Sequence, residues 1–397
     1  MSTSLQHHDR IAATTMTTLT RSFSTQTPQW QRFQVEGSPY QRQYAHVYHQ
    51  RLSMLASKIE VPDKVERVLD LKENVRAGVI GTLVKESAQK GEPVVEGSRC
   101  YPGDELFLED SSGRVHLDTD QVHAFATGVV MGVVGVVGMD GSMKVECFVA
   151  PSIPVPQPKE VPSSYILLVS GLNCGEAPAL PREMLLAYLD GQFKGGPNPA
   201  EISRVILAGG LVTTSTEGLR QLDSWTSRMA AAGLCLDIVP GEKDPTTANW
   251  PQRPLHSSLL PQTRKYKTVH RTPNPYQASF DGRVVMGTDG TNVRDLQSRI
   301  LIDQQPASEL DVLEKTLEWS HSCPTGPSSV PTVPHAETDP MVLSEPLDLY
   351  FAGNCTKFAT KEVNGTRLVC VPSFETTGMA VLVQLGTMKV QVVRFED

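Results

Sequence analysis

Apolar positions change their period several times along the chain, and those changes divide it. Between Tyr40 and Ile59, the positions Tyr44, Val47, Tyr48, Arg51, Leu52 and Leu55 recur at helical spacing and predict an amphipathic helix. Short strand signals follow. Val75 to Lys85 predicts one strand, and Glu105 to Glu109 with Arg114 to Asp118 predicts a hairpin turned at Asp110-Ser111-Ser112-Gly113. Gly128 to Val137 and Lys144 to Val149 predict another, turned at Asp140-Gly141. Short strands packed this densely predict a small closed barrel, with Gly132, Gly135 and Gly138 suited to its corners.

Such a barrel is of the OB type. Pro151, Pro154, Pro156, Pro158 and Pro162 then predict a stiff, extended connector. Beyond it the rhythm becomes strand, helix, strand, helix, strand: Tyr165 to Ser170, Arg182 to Leu189, Val205 to Ala208, Thr216 to Ala232 and Leu234 to Val239. That order implies a parallel core sheet covered by helices. Further β runs lie at Arg283 to Met286, Leu347 to Phe351 and Leu368 to Val371, with a helix at Glu309 to Ser320 and a closing hairpin from Ala380 to Phe395. Asn274-Pro275-Tyr276 reads as a turn whose tyrosine packs across a sheet edge. The fold class is therefore α+β in two domains. Residues 1–37 read as a disordered tail, 38–150 as a helix plus OB-type barrel, 151–163 as the connector and 164–397 as the α/β domain. The tail carries Arg10, Arg21 and Arg32, so a mitochondrial transit peptide is its alternative reading.

Charge narrows the function. Lys plus Arg is 36 against 44 for Asp plus Glu, a net charge of −8. A chain that grips phosphate backbones alone usually carries a basic excess, so DNA contact is expected to be mostly indirect. The barrel strands are rich in Val and Gly rather than stacking aromatics, which favours protein binding over single-stranded DNA. Arg264-Lys265-Tyr266-Lys267 is a small basic patch, read as a solvated loop. The seven cysteines are odd in number, scattered, and without a C-x-x-C pair, which fits reduced thiols rather than disulfides or a zinc knuckle. The apolar run from Gly128 to Met139 is short and broken by glycines, a strand and not a membrane span.

In an α/β sheet, ligands gather beyond the carboxyl ends of the strands. Here those loops read Ser170 to Gly175, Gly209 to Thr213, Pro240 to Pro245 and Phe351 to Cys355. Their order and spacing resemble the calcineurin-like metallophosphoesterases. That resemblance implies D-x-H on the first loop, G-D-x-x-D on the second, G-N-H-(D/E) on the third and a histidine on the last. Two metal ions about 3.5–4 Å apart need those carboxylates and imidazoles. Matched residue by residue, Gly171 and Asn173 stand for the first Asp and His, and Gly210 and Thr213 for the second-loop carboxylates. Glu242 and Lys243 replace the third-loop Asn and His, Asn354 replaces the last His, and only Asp244 keeps its type. The Lys243 ammonium would repel cations and offers no lone pair. An inactivated metallophosphoesterase-like α/β sandwich is expected, with no catalytic residue, no metal and no cofactor. Asp244 is read as a turn brace rather than a remnant ligand, and His256 as structural.

An OB barrel joined to an inactivated phosphoesterase domain is the make-up of the B-subunits of replicative DNA polymerases. Several blocks are similar to the delta-type branch of that family. They include Arg42 to Tyr48, Pro102 to Asp110, Ile166 to Leu172, Ser203 to Gly209, Pro240 to Asn249, Gln252 to His256, Asn274 to Ala278, Gly287 to Val293 and Tyr350 to Asn354. The resemblance implies a nuclear, non-catalytic scaffold. Its partners would be the C-terminal metal-binding module of a catalytic subunit and a further accessory subunit, with the sliding clamp reached indirectly and no membrane. Two alternatives stand beside it: an active metal-dependent phosphodiesterase or nuclease built on Asp244 and Glu242, and a B-subunit of the alpha or epsilon type.

Overall fold

The computed structural model describes residues 20–34, 43–89, 91–176, 179–192, 196–213, 215–335 and 337–395. In chain order they form β1 (Gln26–Pro28), α1 (Ala45–Ala56), β2 (Arg76–Glu86), β3 (Glu105–Glu109), β4 (Arg114–Asp118), β5 (Val130–Val137) and β6 (Met143–Val149). Next come β7 (Tyr165–Val169), α2 (Ala179–Leu189), β8 (Ile202–Ala208), α3 (Thr216–Ala231), β9 (Leu236–Val239), β10 (Val269–Arg271), β11 (Tyr276–Phe280) and β12 (Arg283–Thr288). The remainder is α4 (Thr291–Gln297), β13 (Leu301–Ile302), β14 (Gln305–Pro306), α5 (Glu309–Glu318), β15 (Leu349–Cys355), β16 (Ala359–Val363), β17 (Thr366–Pro372), α6 (Phe374–Thr377), β18 (Met379–Gln384) and β19 (Val390–Arg394).

Strands β2-β3-β4-β6-β5 close the expected barrel. Two six-stranded sheets follow, ordered β10-β9-β8-β7-β18-β19 and β1-β11-β12-β15-β17-β16. Alternation along each strand decides which side each residue buries. Ile166, Leu168, Ile206 and Ala208 join the core between the sheets, whereas Leu167, Val169, Val205 and Leu207 pack with Leu185, Leu186, Leu222, Trp225 and Met229 of α2 and α3. On the far side, α4 and α5 cover the second sheet, and Thr316 reaches the Tyr350 hydroxyl at 3.2 Å. Helix α3 starts where Ser215 Oγ accepts the Gly218 amide at 3.0 Å. A Ser308–Asp311 capping box starts α5. Layers of helix, sheet, sheet and helix make an α/β sandwich. Its close packing leaves no slack at Gly287, where a β-carbon would overlap the Phe351 ring. Gly287→Ala is expected to cost about 1–3 kcal/mol through overpacking. The check is a lower urea midpoint with an unchanged m-value.

Three expectations need correction. The first is the tail. Met1 to Leu19 lies outside the described residues, but residues 20–34 are packed structure. β1 pairs antiparallel with β11. Trp30 and Phe33 are buried, and Trp30 stacks on Tyr276 with ring centroids 5.7 Å apart. Arg21 donates to the Leu189 carbonyl at 2.9 Å and to that of Ala232 at 3.0 Å. The segment covers the open edge of β11, which would otherwise present unpaired backbone groups. The second is Tyr276, which begins an inner strand between β1 and β12 instead of capping an edge turn. It is fully buried, and its hydroxyl donates to Asp237 Oδ2 at 2.7 Å. The third concerns the barrel's outside. Phe107 of β3 and His116 of β4 form a half-buried aromatic pair, with the Arg114 guanidinium 4.6 Å from the Phe107 ring.

The barrel does not hang from a free hinge. One apolar cluster runs from Val79, Leu106 and Val133 of the barrel through Phe125 and Trp319 into the sandwich. The proline connector is pinned as well. Lys159 Nζ reaches Asp348 Oδ2 at 2.9 Å, and the Ser152 amide reaches the Lys58 carbonyl at 2.8 Å. Among the described residues no helix is long and apolar enough to cross a membrane, and all seven cysteines are free thiols.

Candidate functional site

Strands β7, β8 and β9 run parallel, as do β12, β15 and β17. Their carboxyl ends therefore point the same way within each sheet, and the loops of both sheets meet over one edge of the sandwich. A cleft of ≈ 360 Å³ lies there, lined by Asn173, Gly210, Glu242, Lys243, Asp289, Arg294, Asn354 and Ser373. The structure thus gathers Asn173, Gly210, Glu242, Lys243 and Asn354 from four separate loops. Gly171 adjoins them, its amide bonded to the Gly209 carbonyl at 2.9 Å. Thr213 does not line the cleft. Its hydroxyl pairs with the Cys174 carbonyl and with Ser215, both at 3.3 Å.

The two glycines make room for Asn354. Gly171 and Gly210 have φ of +65° and +61°, where a side chain is strained. A β-carbon on Gly210 would sit 2.6 Å from Asn354 Oδ1, and one on Gly171 2.9 Å from the same atom. A carboxylate at either position would displace Asn354. That amide is already engaged, since its Nδ2 donates to the carbonyls of Asp289 at 2.9 Å and Ala208 at 3.3 Å. It ties the ends of three strands together through those two bonds.

Asp244 lies below the cleft and is buried. Its Oδ1 accepts the amides of Leu211 at 2.9 Å and Val212 at 3.0 Å, and its Oδ2 accepts that of Gly241 at 2.7 Å. The carboxylate therefore ties the second loop to the third, a wider brace than the local turn expected of it. Burial pushes its pKa up to about 7, against the pull of those amides, and nearby Asp289 adds to the rise. Glu242 and Lys243 are exposed. Glu242 pairs with Arg294 at 3.3 Å, and Lys243 makes no hydrogen bond or ion pair among the described residues. His256 does not line the cleft. It caps a short 3-10 turn by accepting the Ser258 amide at 3.3 Å.

Sequence reasoning passed over Asp289, Arg294 and Ser373. Asp289 is the hub of the floor, taking the Glu242 amide at 3.0 Å, Asn274 Nδ2 at 2.8 Å and Thr291 Oγ1 at 2.6 Å. A signal was present, because Gly287 to Val293 is a turn-forming block at a strand end. Among the described residues, no group of three or more His, Cys, Asp or Glu side chains is placed to hold a metal ion.

Comparison with known proteins matches both halves of this arrangement. The family described as DNA polymerase delta subunit OB-fold domain matches residues 43–148, and that described as the B-subunit of DNA polymerases alpha/epsilon matches residues 166–360. DNA polymerase delta subunit 2 of Drosophila melanogaster is 30% identical over 419 residues, covering 91% of this chain and 95% of its own. The chain belongs to the DNA polymerase delta small-subunit family. The DNA polymerase delta small subunit of Oryza sativa subsp. japonica is also 30% identical, with 92% and 96% of the two chains covered. That of Saccharomyces cerevisiae is 25% identical, with 90% of each covered. Family membership makes this a DNA replication protein with an OB-fold domain, and it explains why the barrel and the sandwich occur together.

Proposed function

We propose that this chain is a non-catalytic scaffold subunit of a DNA polymerase delta holoenzyme, working in replication and repair synthesis in the nucleus. In this reading the sandwich is a calcineurin-like phosphoesterase fold whose site has degenerated, and the barrel (38–150) and sandwich (164–397) are its two domains. One face holds the C-terminal metal-binding module of the catalytic subunit, and a further accessory subunit docks beside it and links to the sliding clamp. Stable docking of this kind buries about 1,200–2,000 Å² or more, and tethering to the clamp raises the effective concentration of polymerase at the primer end. DNA contact is mostly indirect, in keeping with the net charge of −8.

The observation that carries this reading is the state of the cleft. Where hydrolysis would need a cluster of anionic and imidazole ligands, the chain offers Gly171, Asn173, Gly210, Thr213, Glu242, Lys243 and Asn354. Asp244, the one carboxylate retained, is occupied by three backbone amides. The side chains that would clamp two cations, and through them activate water and stabilise a phosphoryl transition state, are replaced at these positions. Co-expression with the catalytic subunit's C-terminal module should yield a single species on size-exclusion chromatography. Separate elution at micromolar concentration would sink the scaffold reading. With added manganese, hydrolysis of a bis-phenyl phosphate ester is expected to stay at the blank rate. Turnover that disappears in Glu242→Gln would restore an enzyme.

A further inference from the structure

A second pocket, ≈ 100 Å³ in volume, opens on the seam between barrel and sandwich. Lys85 and Arg99 line it from the barrel side, and Arg299, Thr325 and Ser329 from the sandwich side. Lys85 Nζ donates to the Arg299 carbonyl at 2.6 Å and approaches Cys100 Sγ at 3.5 Å, and among the described residues it makes no ion pair with a carboxylate. Arg299 meets Asp295 through Nε at 3.2 Å and Ser329 through Nη2. Arg99 is exposed, and its guanidinium makes no hydrogen bond or ion pair among the described residues. Thr325 is 2% exposed, and its hydroxyl has no partner among the described residues. A buried hydroxyl left unpaired at the pocket wall is free to meet a ligand or a water.

Three cations converge here, with Asp295 bonded to Arg299 and Asp104 acting on Lys85 only through space. That excess stands against a chain carrying a net charge of −8. The volume is enough for a tetrahedral oxyanion. We propose that this seam pocket binds a phosphate-monoester-type dianion between Lys85 and Arg299, with Arg99 closing over it from the rim. Charge-assisted hydrogen bonds from ammonium and guanidinium groups suit such an anion. Because its donors belong to both halves of the molecule, the bound anion also ties barrel to sandwich. A free inorganic phosphate and a phosphorylated serine side chain share the required chemistry.

The test is a titration of the full chain against inorganic phosphate and, separately, O-phosphoserine, read by phosphorus NMR at constant ionic strength. Saturable binding is expected, weakened by about tenfold or more in Arg99→Glu. Arg99 is exposed, so that variant should keep the parent melting temperature. Lys85→Gln, with its fold checked by the same melt, should weaken binding as well. Tighter phosphoserine binding supports the proposal with a phosphorylated side chain as source, and tighter phosphate binding supports it with the free anion. No saturation by either probe, or equal affinity in the parent and Arg99→Glu, would overturn it.

Discussion

Replacing Arg51 by methionine is expected to destabilise the fold by about 3–5 kcal/mol, the usual consequence of removing one partner from a buried ion pair. Arg51 is 1% exposed although it lies on α1. Its Nε meets Asp339 Oδ2 at 2.9 Å, Nη1 donates to the carbonyls of Gly128 at 3.0 Å and Pro324 at 2.7 Å, and Nη2 to that of Gly326 at 2.6 Å. One side chain therefore joins α1, the start of the barrel wall and the sandwich. Methionine fills much of the volume but removes the guanidinium paired with the buried Asp339 and leaves three carbonyls without this donor. Lysine should recover only part of the loss, since a point charge cannot reach all four acceptors in one plane. Urea unfolding of the two variants checks the order, and equal midpoints for Arg51→Met and the parent would refute it.

The same cluster sets a pH response. His321 Nε2 shares Asp339 Oδ2 at 2.9 Å. Burial first, and the Arg51 charge second, lower the His321 pKa from 6.5 to about 4. A folded value below the unfolded one means the imidazole favours folding when neutral. Its contribution is complete above pH 6.5 and is lost as pH falls toward 4. Asp339 is held well below the usual carboxylate range, chiefly by the His321 and Arg51 charges against the opposing pull of burial, so its share is lost at still lower pH. The His321 contribution to stability should thus begin to fall below pH 6.5. Arg51→Met should also raise the His321 pKa, because it removes one of the two charges acting on the ring, and imidazole NMR shifts would show it.

Asp244→Ala is the second large effect, expected at about 3–5 kcal/mol, because it leaves three buried amides without an acceptor. Asp244→Asn should cost roughly half as much, since Oδ1 can still take two amides while the new NH₂ faces that of Gly241. The pH dependence has the opposite sign to that of His321. A carboxyl raised to about 7 by burial favours folding while protonated, and that contribution is lost as pH rises from the unfolded value toward 7. Asparagine cannot titrate, so the difference in stability between parent and Asp244→Asn should shrink as pH rises through 7. A difference that grows over that window would show that Asp244 is not the titrating group. Loss of stability with no change in a hydrolytic rate separates a brace from a remnant ligand.

Much of the architecture was legible from local pattern. Hairpin strands β3 and β4 match their expected bounds because the Asp110 to Gly113 turn and strict alternation act within a few residues. The crossover strands β7 to β9 were recognisable for the same reason, as short apolar runs separated by helical periods. Strands β11 and β16 and helix α4 were missed. β16 has exposed and half-buried positions throughout, with no apolar face to betray it. Of the cleft, Asn173, Gly210, Glu242, Lys243 and Asn354 were legible as loop residues beyond strand ends, whereas Asp289 was not, since its strand-end block does not say that it will stand under Glu242.

The chain's own order of residues determined its elements, their sequence and the residue types that reach the cleft, because periodicity and turn chemistry are satisfied by neighbours a few positions away. Tertiary structure alone decided that residues 20–34 seal an edge, that Asp244 braces two loops, and that Arg51 finds Asp339 across 288 positions. A buried charge on a helical stripe carries no local mark of its partner. Only folding removes the water that would otherwise satisfy it, and so makes the distant partner obligatory.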